Sequence, residues 1–311
     1  MVVACLPFKE ARLDLQGLIY PDTTQFPEID DTSNTHHLPA TGLVYDAFVE
    51  TKEVEDLCLA VGLTRKDVRK LRRQFTDEDA DNTDTITQSA FFFLIDEERH
   101  NLSRRLFRIA GLPPTQSRFT FDQYLKIICT FSTFSEPELL KFFFDVFAID
   151  SQDGSIMVSE IQNLGKELQD ANKSTSKNIA IATKRMVSSR NVIEVASVQH
   201  HHTQAADTML TFADFERLVK KNLVAFYPLL LMQRNVRQAT LGEAFWNAKT
   251  REKKAVHDIL HFMAQHDGQM PELPWTDRLM TSLFRVETTG SRARAQAKNL
   301  YANGSARRAT T

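Results

Sequence analysis

Four times along its length the chain repeats one cadence: an amphipathic helix, a polar loop, a single β-type apolar residue, then a short helix opening with an aromatic or apolar residue. The central apolar residues are Ile86, Phe119, Ile156 and Leu210, and the segments around them read TITQSAFFFLI, FTFDQYLKII, SIMVSEIQNL and LTFADFERLV. This repeated, helix-dominated cadence points to an all-α class. Only 10 Gly and 10 Pro in 311 residues argue against a β-rich or low-complexity alternative.

Helical periodicity fills most of the intervals. Val54, Leu57 and Val61 share a face that Gly62 ends, and Thr64 with Asp67 has the form of a capping box before Val68, Leu71 and Phe75. Leu102, Leu106 and Ile109 mark a helix that stops at Gly111, Pro113 and Pro114, and Phe121, Tyr124, Leu125, Ile128 and Phe131 mark the next. Ser135 and Glu138 form a second capping box, followed by Leu140, Phe143, Phe144 and Phe147 at i, i+3, i+4, i+7. Ile161, Leu164 and Leu168 carry the helix after the third loop, and residues 170 to 198 read as one long helix with a loose start. Phe212, Phe215, Leu218 and Val219 follow, then an apolar run expected to kink or break near Pro228. Thr240 and Glu243 read as a third capping box, opening a helix that reaches about Gln265. The 22 Phe supply knobs for such helical cores.

Across about Val54 to Lys221 this arrangement resembles the EF-hand superfamily, in particular the four-hand plan of calcineurin B-like and calmodulin-like proteins. The resemblance implies two lobes, each a pair of hands joined by a two-stranded contact, with Ile86 opposite Phe119 and Ile156 opposite Leu210. The expected divisions are therefore an extended arm (1–43), a first pair (44–134), a second pair (135–222), a helical extension (223–285) and a basic tail (286–311).

Calcium needs about 6–8 oxygens, from loop positions 1, 3, 5, 7, 9 and 12, with Gly at 6 and a bidentate Glu at 12. In the first loop Asp79, Asp81 and Thr83 suit positions 1, 3 and 5, but Asp84 replaces the Gly and Ala90 the Glu, so sensor-range affinity is not expected. The second offers Leu112, Pro114 and Gln116 and is dead. The third is nearest to competent, with Asp153, Gly154 and Glu160 at positions 5, 6 and 12; position 1 is Ile149, and a register starting at Ala148 puts Asp150 third. The fourth has Thr203, Ala205, Asp207 and Asp214, an Asp too short to close a bidentate site well. The candidate ligands are thus Asp150, Asp153 and Glu160, then Asp79, Asp81 and Thr83, with calcium as the one conceivable ion and no other cofactor.

No signature of an enzyme stands in the chain: no Gly-rich phosphate loop, HExxH, GxSxG or CxxC. No catalytic residue is assigned. Cys5, Cys58 and Cys129 form no metal or disulfide pattern, and His200, His201 and His202 read as a solvated linker. A net charge of -2 gives no overall field for nucleic acid or membrane. The longest apolar run, Leu223 to Met232, is too short for a span of ~20 residues. The N-terminus lacks the basic start of a signal peptide. A cytoplasmic protein without a membrane span is the expectation. Protein partners are expected through 1–43, 223–266 and the tail 286–311, where only basic charge follows Glu287. Residues 223–266 are expected to pack in cis against the second pair, filling its groove; the rival role is a partner-binding surface in trans. The function expected is a non-catalytic scaffold or adaptor in a cytoskeletal, ciliary or flagellar (axonemal) assembly; the alternative is a calcium-responsive regulatory subunit of an enzyme or channel.

Overall fold

A computed structural model describes residues 45, 48–99, 101–147, 154–167, 174–195 and 209–309. The arm, Asp150, Asp153 and the histidine linker lie outside the described residues. The fold is mostly helical. Its elements are α1 (Lys52–Val61), α2 (Arg65–Asp77), β1 (Thr85–Thr87), α3 (Gln88–Leu94), α4 (Asn101–Arg104) continuing as a 3-10 turn (Arg105–Ala110), β2 (Arg118–Thr120), α5 (Phe121–Ser132), α6 (Glu136–Phe147), β3 (Ile156–Met157), α7 (Val158–Glu167), α8 (Ser174–Val195), β4 (Met209–Leu210), α9 (Phe212–Lys221), α10 (Leu223–Ala239), α11 (Glu243–Gln265), α12 (Trp275–Phe284) and α13 (Thr289–Ala309).

The strands form two antiparallel pairs. β1 lies on β2 with Ile86 opposite Phe119, and β3 lies on β4 with Ile156 opposite Leu210. These are the pairs that the resemblance implies. All four central residues are buried. Each strand leads into a helix, directly or after one residue, and three of these helices are capped by a threonine whose hydroxyl accepts the N3 amide: Thr87 from Ala90, Thr120 from Gln123 and Thr211 from Asp214.

The chain falls into two compact units, Thr64–Asn247 and the remainder. The first holds both strand pairs, so the expected boundaries near 134 and 222 are helix junctions inside one unit. Its aromatic core begins at the first strand pair. Phe91 meets Phe119 at 5.0 Å, Phe107 at 5.3 Å and Phe92 at 5.4 Å between ring centroids, and Phe107 meets Phe119 at 4.6 Å. Around the second pair, Phe144 meets Phe212 and Phe215, and Phe215 meets Phe226 of α10. Where α7 packs on α8, a Cβ at Gly165 would stand 3.2 Å from the Ile179 side chain, so a larger residue would push the helices apart.

α10 differs from expectation. It runs unbroken through Pro228. The ring removes only the hydrogen bond to the Val224 carbonyl, four residues back in the first turn, and Val224 is 80% exposed, so water can take that carbonyl. The other face, Ala225, Phe226, Leu229, Met232 and Val236, is buried. This helix packs on α5, α8 and α9 of its own unit. The third capping box does not form either. Thr240 is buried, and its hydroxyl donates to the Val236 carbonyl at 2.7 Å and accepts from Trp246 Nε1 at 2.9 Å rather than from an α11 amide. Glu243 pairs with Arg234 instead.

In the second unit, α13 occupies what reads from sequence as a loose tail. Ala293 and Ala297 are fully buried against Val256 and Leu260 of α11, with Leu300 and Tyr301 beside them. Lys249 and Gln296 donate to the carbonyls of Gly62 and Ala60, which end α1 without intrahelical partners.

Candidate functional site

The first loop is the one candidate cation site whose ligand positions are all described. Its turn is held by its own side chains. Asp84, standing where Gly is expected, adopts φ 55°, a left-handed conformation that Asp tolerates better than most residues. Its amide donates to Asp79 Oδ2 at 2.8 Å, and the Thr83 amide to Asp79 Oδ1 at 3.2 Å. The buried Asp79 carboxylate is thereby committed to the loop's own amides.

The centre of the loop is filled by a side chain from the other strand. Arg118, on β2 opposite Thr87, sends its guanidinium across the pair. Nη2 lies 2.8 Å from Thr83 Oγ1, 3.2 Å from Asp81 Oδ2 and 3.3 Å from the Thr85 carbonyl, while Nε donates to Thr85 Oγ1 at 2.8 Å. Those oxygens stand at positions 3, 5 and 7, where calcium would be held. A fixed cation takes that place. Arg72 adds a second: it pairs with Asp84 and lies over the Phe121 ring at 4.9 Å. The sequence candidates Asp79, Asp81 and Thr83 are therefore brought together, but around Arg118. As arranged, they do not fit calcium. Reading each loop alone missed Arg118, because it belongs to the second loop; the register Thr87↔Arg118 is the signal that finds it.

The closing position tells the same story elsewhere. Glu160 Oε2 accepts from the Met157 amide at 2.6 Å, and Asp214 Oδ2 accepts from the Thr211 amide at 3.2 Å and hydroxyl at 2.7 Å. Gln123 does likewise for Thr120 at 3.1 Å. The residue at position 12 thus reaches back to the start of its helix. Such a cap contributes about 1 kcal/mol in place of an ion's hold on the helix. Asp150 and Asp153, the remaining candidates of the third loop, lie outside the described residues. Among the described residues no three His, Cys, Asp or Glu side chains gather closely enough to hold a metal ion.

One further polar site lies after α3. Glu97 accepts from Asn235 Nδ2 of α10 at 2.9 Å. Burial, followed by the nearby Asp96 and Glu98, raises its carboxyl to about 7 against the Asn235 hydrogen bond. Unfolded, it would titrate near 4.5. Between those values the folded chain holds more protons than the unfolded one, so stability falls as pH rises through the window. The slope from this group is at most about 1.4 kcal/mol per pH unit. Glu97→Gln is expected to remove that slope; urea denaturation at about pH 5 and pH 8 would then differ less in the variant than in the wild type.

No protein-family model matches the chain. No curated protein is significantly similar to it.

Proposed function

We propose that this chain is a non-catalytic scaffold or adaptor of the EF-hand-like type, whose loops are held by its own side chains and whose role is to bind protein partners in a larger assembly. The observation that carries this reading is the Arg118 guanidinium among Asp81, Thr83 and Thr85. A loop closed this way has no ion to gain or lose, and so lacks the toggle by which a sensor opens. The caps made by Glu160 and Asp214 support the same view. A cytoskeletal, ciliary or flagellar setting in the cytoplasm follows from the resemblance alone. No helix among the described residues is long and apolar enough to cross a membrane.

Calcium titration by calorimetry tests the proposal. The intact protein is expected to give no site tighter than about 10⁻⁵ M, the weak end of the sensor range. Its helicity should not change with chelator. A tighter site would favour the calcium-responsive regulatory subunit instead. Arg118→Gln gives a second readout. It is expected to lower stability by about 1 kcal/mol through lost charge-assisted hydrogen bonds. Millimolar calcium should then raise the variant's Tm while leaving the wild type unmoved, because Asp81, Thr83 and the Thr85 carbonyl become free. A variant whose Tm ignores calcium would mean that Arg118 does not occupy a cation's place.

A further inference from the structure

The helix α12 is built the wrong way round for a globular protein. Its partly covered residues are Asp277 and Thr281, one turn apart. Asp277 is the side chain that a Cβ at Gly290 would strike, which places this polar edge against the start of α13. The outward side carries Trp275 at 74% exposure, Leu283 at 67% and Phe284 at 63%, with Leu279, Met280 and Val286 also exposed. At about 100° per residue, Trp275, Leu279, Leu283, Met280 and Phe284 spread over roughly half of the helix circumference.

That breadth separates two kinds of occupant. A helix entering a protein groove presents a narrow stripe of anchors at i, i+3 or i+4, and i+7. A helix lying in a bilayer interface presents a broad apolar side with Trp and Phe, bordered by basic residues. The charge here favours the second. Between Glu272 and Thr311 there are seven basic residues against three acidic ones, and none of the acids follows Glu287. Arg285 and Lys298 are exposed, while Arg278 pairs with Glu272 and Arg292 with Glu252. Of the acids, Asp277 is turned inward and Glu272 is paired with Arg278. A chain of net charge -2 thus carries an excess of basic residues in the segment that holds this exposed apolar side.

We infer that α12 is a peripheral membrane anchor: it lies flat on an anionic lipid surface, immersing Trp275, Leu279, Leu283 and Phe284, with Arg285 and Lys298 meeting the headgroups. This goes beyond the scaffold reading and stands or falls separately from it, since calcium binding by the loops has no bearing on it.

The test uses the full chain and two vesicle types, phosphatidylcholine alone and phosphatidylcholine with a minority of phosphatidylserine. Flotation should recover the protein with the anionic vesicles, and added salt should reduce the recovery. The two tryptophans give a second readout. Trp246 is fully buried, so a blue shift of emission on vesicle addition reports Trp275 and should vanish in Trp275→Phe. Leu283→Glu with Phe284→Glu should weaken binding at least about tenfold, that is about 1.4 kcal/mol. Both positions are exposed, so circular dichroism and melting should match the wild type. Failure to float with either vesicle overturns the inference. So does equal binding to both types, or binding that survives the double substitution. Concentration-dependent dimerisation abolished by that substitution would instead assign the surface to a second copy of the chain.

Discussion

Phe91→Ala is expected to cost about 3–5 kcal/mol, a large share of the 5–15 kcal/mol that holds a typical domain. Phe91 is fully buried and its ring meets four others: Phe92, Phe107, Phe119 and Tyr124. Truncation removes apolar area and leaves a cavity between rigid rings that cannot collapse well. It also forfeits edge-to-face contacts, each contributing about 0.5–1.5 kcal/mol. Two controls bracket the result. Phe93→Ala, two residues on at 74% exposure, should change stability by less than about 0.5 kcal/mol. Tyr124→Phe should be neutral or slightly stabilising, because among the described residues the buried Tyr124 hydroxyl has no hydrogen-bond partner to lose. Urea denaturation of the three variants gives all three values. Equal effects at Phe91 and Phe93 would mean that the aromatic cluster is not the core.

The second large effect is expected at Arg237. It is buried on α10 beside Gln233, and the two serve the carbonyls that end α5. Arg237 Nε donates to Ser132 at 2.8 Å and Nη2 to Phe134 at 3.1 Å; Gln233 Nε2 donates to Phe131 at 2.8 Å and Phe134 at 3.0 Å. Burial lowers the Arg237 pKa, partly offset by Glu243, but leaves it a cation. Arg237→Met keeps most of the stem and removes the donors. Ser132 loses its side-chain donor while Phe134 keeps Gln233, and a buried carbonyl without a partner costs about 1–3 kcal/mol, so a loss of about 2 kcal/mol is expected by urea denaturation. Gln233→Met in the same background should cost more than its effect alone, since it then removes the last side-chain donor to the Phe134 carbonyl. Full additivity would show that the two side chains do not act as one cap.

Much of this fold is legible in the sequence because local and long-range signals agree. The helices around Ile86, Phe119, Ile156 and Leu210 are periodic, and the strand pairs join the residues that the resemblance pairs. What was hidden has physical causes. The run Phe91-Phe92-Phe93 has no phase of its own; only the register at Ile86 decides that Phe93 faces water. Pro228 reads as a break, yet its cost depends on where the freed carbonyl points. Thr240 and Glu243 match a capping box in form, but tertiary contacts claim both side chains. The run after Glu287 looks polar and basic, yet Ala293, Ala297, Leu300 and Tyr301 stand at i, i+4, i+7 and i+8, and small residues sufficed to dock it. Arg118 was invisible for a different reason. A loop scored by its own ligands cannot reveal a cation supplied by its neighbour.

That donor's covalent attachment has a consequence for how the first loop responds to its surroundings. A free ion binds according to its concentration, and dilution or a chelator removes it. A guanidinium on the same chain, 37 residues from Asp81, is present at an effective concentration set by the intervening chain, whatever the medium contains. The loop and the second strand therefore order together or not at all. A fragment ending before Arg118 would leave Asp81 and Thr83 without their counter-charge, and mixing it with the missing half would restore the loop only as far as two separate pieces can find each other. Between Asp81 and Arg118, the chain makes within itself a contact that no chelator can remove.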